Sequence, residues 1–198
     1  MFNDKYGLTQ AVLEGRKTMT RRMVCTKDVR LPVHLSYDIK TRQFLLYDAY
    51  LSLVERSRYA FDEVVAIAQS YETLANSGYL DRMMDGLLSM KKCYAGACYK
   101  NKMFVKAELM PRHIKITNIH VERLQDISNE DCIREGVYMD YDEHGGLYTT
   151  PYYDYPNNKH NGFDTPREAF AALIDKVSGK GTWDSNPMVW VYEFEPVD

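Results

Sequence analysis

The sequence lacks any long apolar run and any recognisable targeting segment. The apolar run at residues 64–68, VVAIA, is far shorter than the roughly 18 residues that a membrane-spanning helix requires. The first ten residues, MFNDKYGLTQ, do not combine a basic stretch with an apolar core, so they are not typical of a secretory signal peptide. We therefore expect no membrane association and a cytoplasmic location.

Cysteine is scarce and its spacing is uninformative. The four cysteines are Cys25, Cys93, Cys98 and Cys132, and none forms a CxxC pair. Cys93 and Cys98 enclose four residues, which is only a weak pattern for zinc ligands. Free thiols in a reducing compartment are the simpler interpretation. The sequence therefore predicts no metal site and no cofactor.

An excess of positive charge is also missing. The chain has 25 Lys and Arg against 28 Asp and Glu, for a net charge of -3. Non-specific binding of duplex nucleic acid requires a broad basic face, which this balance argues against. A hydrophobic content of 45% is ordinary for a globular protein with a packed core. A small basic cleft on an acidic body remains compatible with these totals.

One short stretch is strongly basic. Residues 14–22 read EGRKTMTRR, after a short helix predicted at residues 7–14 and ended by Gly15. The following residues alternate as in a strand, which places Thr18, Thr20 and Arg22 on one face and Met19, Arg21 and Met23 on the other. Two interpretations are open. The cations are either a solvated helix end and surface strand, or a compact site for an anion.

The remaining segments predict short helices and strands without regular alternation. The patterns predict a hairpin in YDIKTRQFLLY, a helix in DAYLSLVERSRY, a buried strand in DEVVAIAQSY and an amphipathic helix in LDRMMDGLLSMKK. FVKAELMPRHIKITNIHVERLQDI is predicted to begin with a strand and to continue as a long strand or strand pair after Pro111. Towards the end of the chain we predict a helix in SNEDCIREG capped by Ser128, a helix in TPREAFAALIDKVSG with Thr165, Pro166 and Glu168 at its start, and a closing strand in MVWVYEFE. We therefore predict an α+β protein built on a small, mostly antiparallel β-barrel.

Four segments resemble the ASCH domain of the PUA-like superfamily. GRKTMTRR resembles the G-x-K-x-x-x-x-R signature that opens these domains, and EVVAIAQSY is similar to a strand of the family. VERLQDISNEDCIREGV resembles its strand and short helix ending in Glu-Gly. SGKGTWDSNPMVWVYEFE resembles the closing segment of phage and prophage variants. The resemblance implies a single PUA-like domain over residues 1–198, with insertions at about 28–60, 74–103 and 138–162.

The resemblance implies two functions for a cleft lined by GRKTMTRR. The first is binding of RNA or a nucleotide. The second is hydrolysis of the amide of a modified nucleoside, N4-acylated cytidine, because some small ASCH proteins use a Lys, a Thr and a Glu for this reaction. The catalytic residues would then be Lys17, Thr20 and Glu135. A threonine hydroxyl needs a base to remove its proton, and a buried lysine with a lowered pKa can act as that base.

Other residues are candidates for contact with the ligand. The ligand-binding set that we predict comprises Arg16, Thr18, Arg21, Arg22, Arg112 and Trp183. Arg112 follows the bend at Pro111, and Trp183 lies in GKGTWDSNP, where it either anchors the loop or stacks on a base. The tyrosine-rich insertion at 138–162 either packs on the barrel, stacks on bases or binds a protein partner. A non-catalytic phage or prophage accessory protein is the third functional hypothesis.

Overall fold

The computed structural model of the chain describes residues 2–25, 31–79, 97–140, 152–156 and 162–197. Its strands are β1 (Met19–Met23), β2 (His34–Asp38), β3 (Gln43–Tyr47), β4 (Leu53–Arg56), β5 (Val64–Ala66), β6 (His113–Arg123), β7 (Tyr138–Asp140), β8 (Tyr152–Asp154) and β9 (Met188–Pro196). Its helices are α1 (Leu8–Leu13), α2 (Tyr71–Asn76), α3 (Ala97–Lys100), α4 (Asn129–Arg134), α5 (Pro166–Ser178) and α6 (Thr182–Ser185). Within these ranges no helix has both the length and the apolar character to cross a membrane.

The principal sheet has four antiparallel strands in the order β1-β9-β6-β5 and curls into half a barrel. Strands β6 and β9 pair along most of their length and form its centre, while β1 lies at one end of the order. A three-stranded sheet, β2-β3-β4, and a two-stranded pair, β7-β8, complete the described sheets. The protein is therefore α+β with mostly antiparallel sheets, as the sequence predicts at that level.

The two faces of the principal sheet bury different apolar clusters. On one face, Trp190 and Tyr192 of β9 pack with Leu46 of β3, so the three-stranded sheet covers this side. On the other face, Val189 and Val191 pack against Phe170 of α5. The alternation of side chains along β9 explains the division, because successive residues of a strand point to opposite faces.

Local signals predict several elements correctly. Thr165 and Glu168 form the expected capping box at the start of α5, with Pro166 as its first residue. Ser128 caps α4 by accepting a hydrogen bond from the backbone N–H of Asp131. The predicted hairpin is β2 and β3, and the closing strand is β9.

Three predictions are wrong. The segment predicted as a helix at residues 48–59 contains strand β4, which pairs with β3. The strand predicted at the start of the segment after residue 103 is replaced by short 3-10 turns at Lys102–Phe104 and Ala107–Leu109. The predicted buried strand is only the three-residue β5, in which Val64 is exposed because β5 lies at the end of the sheet. The helix predicted at residues 80–92 falls outside the described residues, as does most of the 138–162 insertion.

Candidate functional site

A cavity of about 440 Å³ lies along β1 and against α5. We call it the larger cavity. Lys17, Thr20, Arg21, Arg22 and Glu135 all contribute to its lining. Because β1 is at the end of the sheet order, side chains from both faces of this strand reach the same space. The structure therefore brings together the three residues that the sequence predicts as catalytic.

Lys17 reaches the cavity from a turn that precedes β1. Gly15 has a φ of +73°, a left-handed conformation that glycine adopts without steric cost, and it ends α1 as predicted. The backbone N–H of Lys17 then donates to the carbonyl of Ala11 at 2.9 Å. Regular alternation would point Lys17 and Thr20 to opposite faces of a strand. This conflict does not arise, because the strand begins only at Met19.

Lys17 and Glu135 form a buried ion pair. Lys17 Nζ lies 2.5 Å from Glu135 Oε2 and 2.6 Å from the Glu135 carbonyl oxygen. The exposed fractions of the two side chains are 2% and 6%. Burial lowers the pKa of Lys17 below its ordinary value, and the negative charge of Glu135 opposes this shift. Lys17 therefore loses its proton more readily than a surface lysine does, and the neutral amine is the form that can act as a base.

Glu135 is positioned by the end of α4 and by Gly136. Its backbone N–H closes the helix by donating to Asp131 and Cys132. Gly136 has a φ of +108°, and a Cβ at this position would lie 3.3 Å from the side chain of Leu8 and 3.6 Å from Lys17 Cδ. A side chain here would be strained by the backbone and crowded by Leu8, and it would contact Lys17. The glycine therefore lets the end of α4 approach Lys17 closely.

Arg21 joins the same network from the strand. Its guanidinium lies 3.1 Å from Glu135 Oε1, 2.7 Å from Glu122 Oε1 and 3.5 Å from Asp131 Oδ2. The side chain is 1% exposed. The sequence predicts Arg21 as a ligand contact, but the structure commits its charged group to three carboxylates of the protein. Its evident role is to hold the Glu135 carboxylate in place beside Lys17. We refer to Lys17, Arg21 and Glu135 as the ion cluster.

A second cavity, of about 160 Å³, adjoins the larger one. Thr20, Arg22 and Phe2 line both cavities. Thr20 and Arg22 lie two residues apart on β1, as the predicted alternation requires, and they face the side of the sheet that carries Tyr192. The two cavities therefore meet beside the Thr20 hydroxyl and the Arg22 side chain.

The other predicted ligand contacts lie elsewhere. Arg16 is exposed and pairs with Glu14 at 2.5 Å, and Thr18 Oγ1 accepts a hydrogen bond from Arg134 at 3.3 Å. Arg112 is exposed at the end of the chain segment before β6. None of these three is among the described residues that line either cavity. Arg112 lines a separate cavity beside Pro111, so for these three residues the geometry of the two cavities described above does not support ligand contact.

Trp183 has the structural role that the sequence offers as its first alternative. It lies in α6, where its ring packs edge-on against Phe170 with centroids 6.2 Å apart. The Arg167 guanidinium lies 5.1 Å from its ring centroid. Trp183 is not among the described residues lining the larger or smaller cavity. It anchors α6 against α5 and is not placed to stack on a ligand there.

Sequence reasoning missed the residues that close the larger cavity. Phe2 and Lys102 both line it, and Lys102 Nζ contacts the Phe2 carbonyl at 2.5 Å, Asp4 Oδ1 at 2.6 Å and Thr9 Oγ1 at 2.8 Å. Lys102 thereby ties the first residues of the chain across the cavity. The apolar wall comes from α5, through Phe170, Leu173, Ile174 and Val177. The predicted buried stripe of α5 was the one available signal, and it indicated packing only.

No group of His, Cys, Asp and Glu residues within the described ranges is arranged to hold a metal ion. Comparison of the chain with protein-family models, with curated proteins and with solved structures finds no match.

Proposed function

We propose that the protein is a PUA-like amidohydrolase that binds a modified nucleoside in the larger cavity and hydrolyses its exocyclic amide, with N4-acylated cytidine as the substrate class. The observation that carries this proposal is the buried Lys17–Glu135 pair, with 2.5 Å between Nζ and Oε2, lining the same cavity as Thr20. The sequence resemblance to ASCH amidohydrolases names the same three residue types.

The shape of the cavity favours a small ligand. Its volume of about 440 Å³ is within the range of roughly 300–1,000 Å³ found for small-molecule sites. Its wall on α5 is apolar, while Lys17, Thr20, Arg22 and Glu135 bring polar groups from the start of β1 and the end of α4. An apolar enclosure with a few placed polar groups is typical of a site for a small molecule, whereas an RNA groove is longer and more basic.

The residues suit acyl transfer in two steps. In its neutral form, which burial favours, Lys17 accepts the Thr20 hydroxyl proton as the Thr20 oxygen attacks the acyl carbonyl carbon. The carbon–nitrogen bond then breaks, and the exocyclic nitrogen takes a proton from the Lys17–Glu135 pair and leaves as the amine of cytidine. Water next attacks the ester on Thr20 and gives a proton to Lys17; as the ester bond breaks, Lys17 passes this proton to the Thr20 oxygen, which restores the hydroxyl and releases the carboxylic acid. Arg22, which borders both cavities, is placed to stabilise the carbonyl oxygen as it becomes negative.

Incubation with N4-acetylcytidine, followed by ultraviolet spectroscopy, tests this proposal. We expect turnover by the wild-type protein, and a fall in kcat/KM of about a hundredfold or more in Lys17→Ala and in Thr20→Ala. Thr41→Ala, in the turn between β2 and β3, is the control for a threonine change and should retain activity. Turnover that survives both Lys17→Ala and Thr20→Ala would refute the assigned roles.

A second candidate is binding of a nucleotide or RNA without chemistry. One cation that lines the larger cavity, Arg22, favours it, because a guanidinium is a suitable partner for phosphate. Binding would weaken with salt on a shallow slope, since few phosphates are neutralised. In that case Thr20→Ala would retain affinity, whereas Arg22→Ala would lose it. No affinity at low salt for single-stranded RNA, duplex RNA and free nucleotides would exclude this candidate.

A further inference from the structure

The smaller cavity has an unusually aromatic lining. Phe2, Tyr59, Tyr192 and Phe194 contribute rings to it, and the aliphatic part of its lining is Val65, Ala66, Ala68, Ile114 and Ile116. The rings are fixed by mutual packing: Tyr59 lies edge-on to Tyr192 with centroids 5.2 Å apart, and Phe2 lies 5.7 Å from Phe194. The Tyr192 hydroxyl accepts a hydrogen bond from the backbone N–H of Arg58 at 2.8 Å. Apart from Thr20 and Arg22 at the junction with the larger cavity, the compartment is lined by apolar and aromatic side chains, and it is preformed.

The residues at the junction of the two cavities indicate how a substrate would be oriented across them. Thr20 and Arg22 border both, whereas Lys17 and Glu135 line only the larger cavity. Lys17 and Glu135, which would protonate the leaving nitrogen, are thus on the larger-cavity side of the Thr20 hydroxyl. A scissile carbonyl beside Thr20 has its nitrogen directed toward the ion cluster. Its other substituent, the remainder of the acyl group, then points into the smaller cavity.

We infer that the smaller cavity is the acyl subsite, and that it selects an aromatic acyl group, of about the size of benzoyl, over acetyl. This inference rests on the proposed function, because it assigns the two halves of the same substrate. The nucleoside occupies the larger cavity and the acyl group occupies the smaller one.

The volume agrees with this assignment. An apolar protein cavity of about 150 Å³ binds one benzene molecule, and the smaller cavity measures about 160 Å³. An acetyl methyl group would leave most of this space unfilled and would forgo contacts with the surrounding rings. A benzoyl ring fills it and meets the edges and faces of Tyr59, Tyr192 and Phe194, an arrangement that aromatic pairs favour.

The reaction balances without any further reactant besides water. The bond between the benzoyl carbon and the exocyclic nitrogen breaks, and a bond between that carbon and the Thr20 oxygen forms. Water then releases benzoate and restores the hydroxyl. Cytidine departs from the larger cavity with the proton that its amine gained.

The test compares N4-acetylcytidine with N4-benzoylcytidine on the wild-type protein and on Ala68→Leu. Ala68 lines only the smaller cavity and lies outside β5, so a larger side chain fills the compartment without altering the sheet. Ala172→Leu, a partly buried alanine of α5 that lines neither cavity, is the matched control. Thermal unfolding of each variant verifies that it is folded.

We expect the wild type to hydrolyse the benzoyl substrate with a kcat/KM about tenfold or more above that of the acetyl substrate. Ala68→Leu should lower the benzoyl value about tenfold and the acetyl value by less, so that the preference for the benzoyl substrate falls, while Ala172→Leu leaves this preference unchanged. Equal values for both substrates in the wild type, or refusal of the benzoyl substrate, overturn the acyl subsite while the amidohydrolase proposal stands. If the wild type hydrolyses neither substrate, the proposed function itself fails. The wild-type comparison decides the matter even if Ala68→Leu does not fold.

Discussion

The ion cluster and the ion pairs of the three-stranded sheet use the same chemical groups in different surroundings. In the ion cluster, the Lys17 and Arg21 side chains are 2% and 1% exposed, and each contacts Glu135. On the three-stranded sheet, Arg56 lies 3.8 Å from Asp38, and Arg42 in the β2–β3 turn lies 3.9 Å from Asp62, with both arginines about half exposed. Water solvates the second set whether or not the pairs form. In the ion cluster water is excluded, so each buried charge must be balanced by the opposite charge of its partner.

Glu135→Leu should have the largest effect on stability. Glu135 is the carboxylate that contacts both buried cations of the ion cluster, so its loss leaves Lys17 without a counter-charge and Arg21 with weaker partners. We expect the free energy of unfolding to fall by about 3–5 kcal/mol, as when a buried ion pair is broken. Urea denaturation measures the change. Glu135→Gln, which keeps the shape and removes the charge, is the companion variant, and a loss below about 1 kcal/mol in both would contradict the comparison.

Arg21→Met should cost less, about 2 kcal/mol. Each of its carboxylate partners has a second cationic neighbour: Glu135 has Lys17, Asp131 has Arg134 at 3.3 Å, and Glu122 has His120 at 3.7 Å when that histidine is protonated. Urea denaturation again gives the stability. Because Arg21 positions Glu135, kcat on N4-acetylcytidine should also fall while KM changes little, with partial recovery in Arg21→Lys. An unchanged kcat would show that Arg21 contributes to stability alone.

The third prediction concerns pH. Burial lowers the pKa of Lys17 in the folded protein, although Glu135 opposes the shift, so the unfolded chain binds this proton more readily between the lowered pKa and the ordinary value of 10.5. The free energy of unfolding contributed by Lys17 therefore rises with pH across that window. Urea denaturation of the wild type and Lys17→Met from pH 7 to pH 10 measures it as a difference, in which other titrating groups cancel. Parallel curves would mean that the Lys17 pKa is not lowered.

Asp62→Asn should have the smallest effect. Asp62 contacts Lys115 at 2.6 Å and Arg42 at 3.9 Å, but its side chain is exposed and solvated. We expect the midpoint of urea denaturation to stay within experimental error of the wild type, with any difference reduced further by salt. A loss comparable to that of Glu135→Leu would remove the distinction between the two sets of charges.

The parts that sequence predicts well are those fixed by neighbouring residues. The capping box at Thr165 and the helix stop at Gly15 depend on side-chain and backbone preferences over a few positions. The spacing of Lys17 and Thr20 likewise belongs to one short segment. Their convergence with Glu135 was predicted only through the family resemblance, since 118 residues separate Lys17 from Glu135.

The parts that sequence misses depend on distant pairing. Residues 48–59 carry apolar residues at helical spacing, but β4 is held as a strand by hydrogen bonding to β3, and tertiary pairing overrides local preference. Lys102 contacts Asp4 from 98 positions away, and no local pattern marks either residue as part of a site. The basic run around Arg21 likewise gives no sign that its guanidinium contacts three carboxylates of the protein.

The irregularity in β6 sets the phase of half the strand. The register with β9 shifts between Ile116 and Asn118, so Thr117 is an additional residue on the β6 side. Ile116 and Ile119 are both buried although three positions separate them, which uninterrupted alternation forbids. A deletion of Thr117 would place the two isoleucines two positions apart, opposite Phe194 and Tyr192, so regular alternation would keep both on the same face. Glu122 would therefore stay on the side of Arg21, and β6 would lose only the local bend that the extra residue introduces.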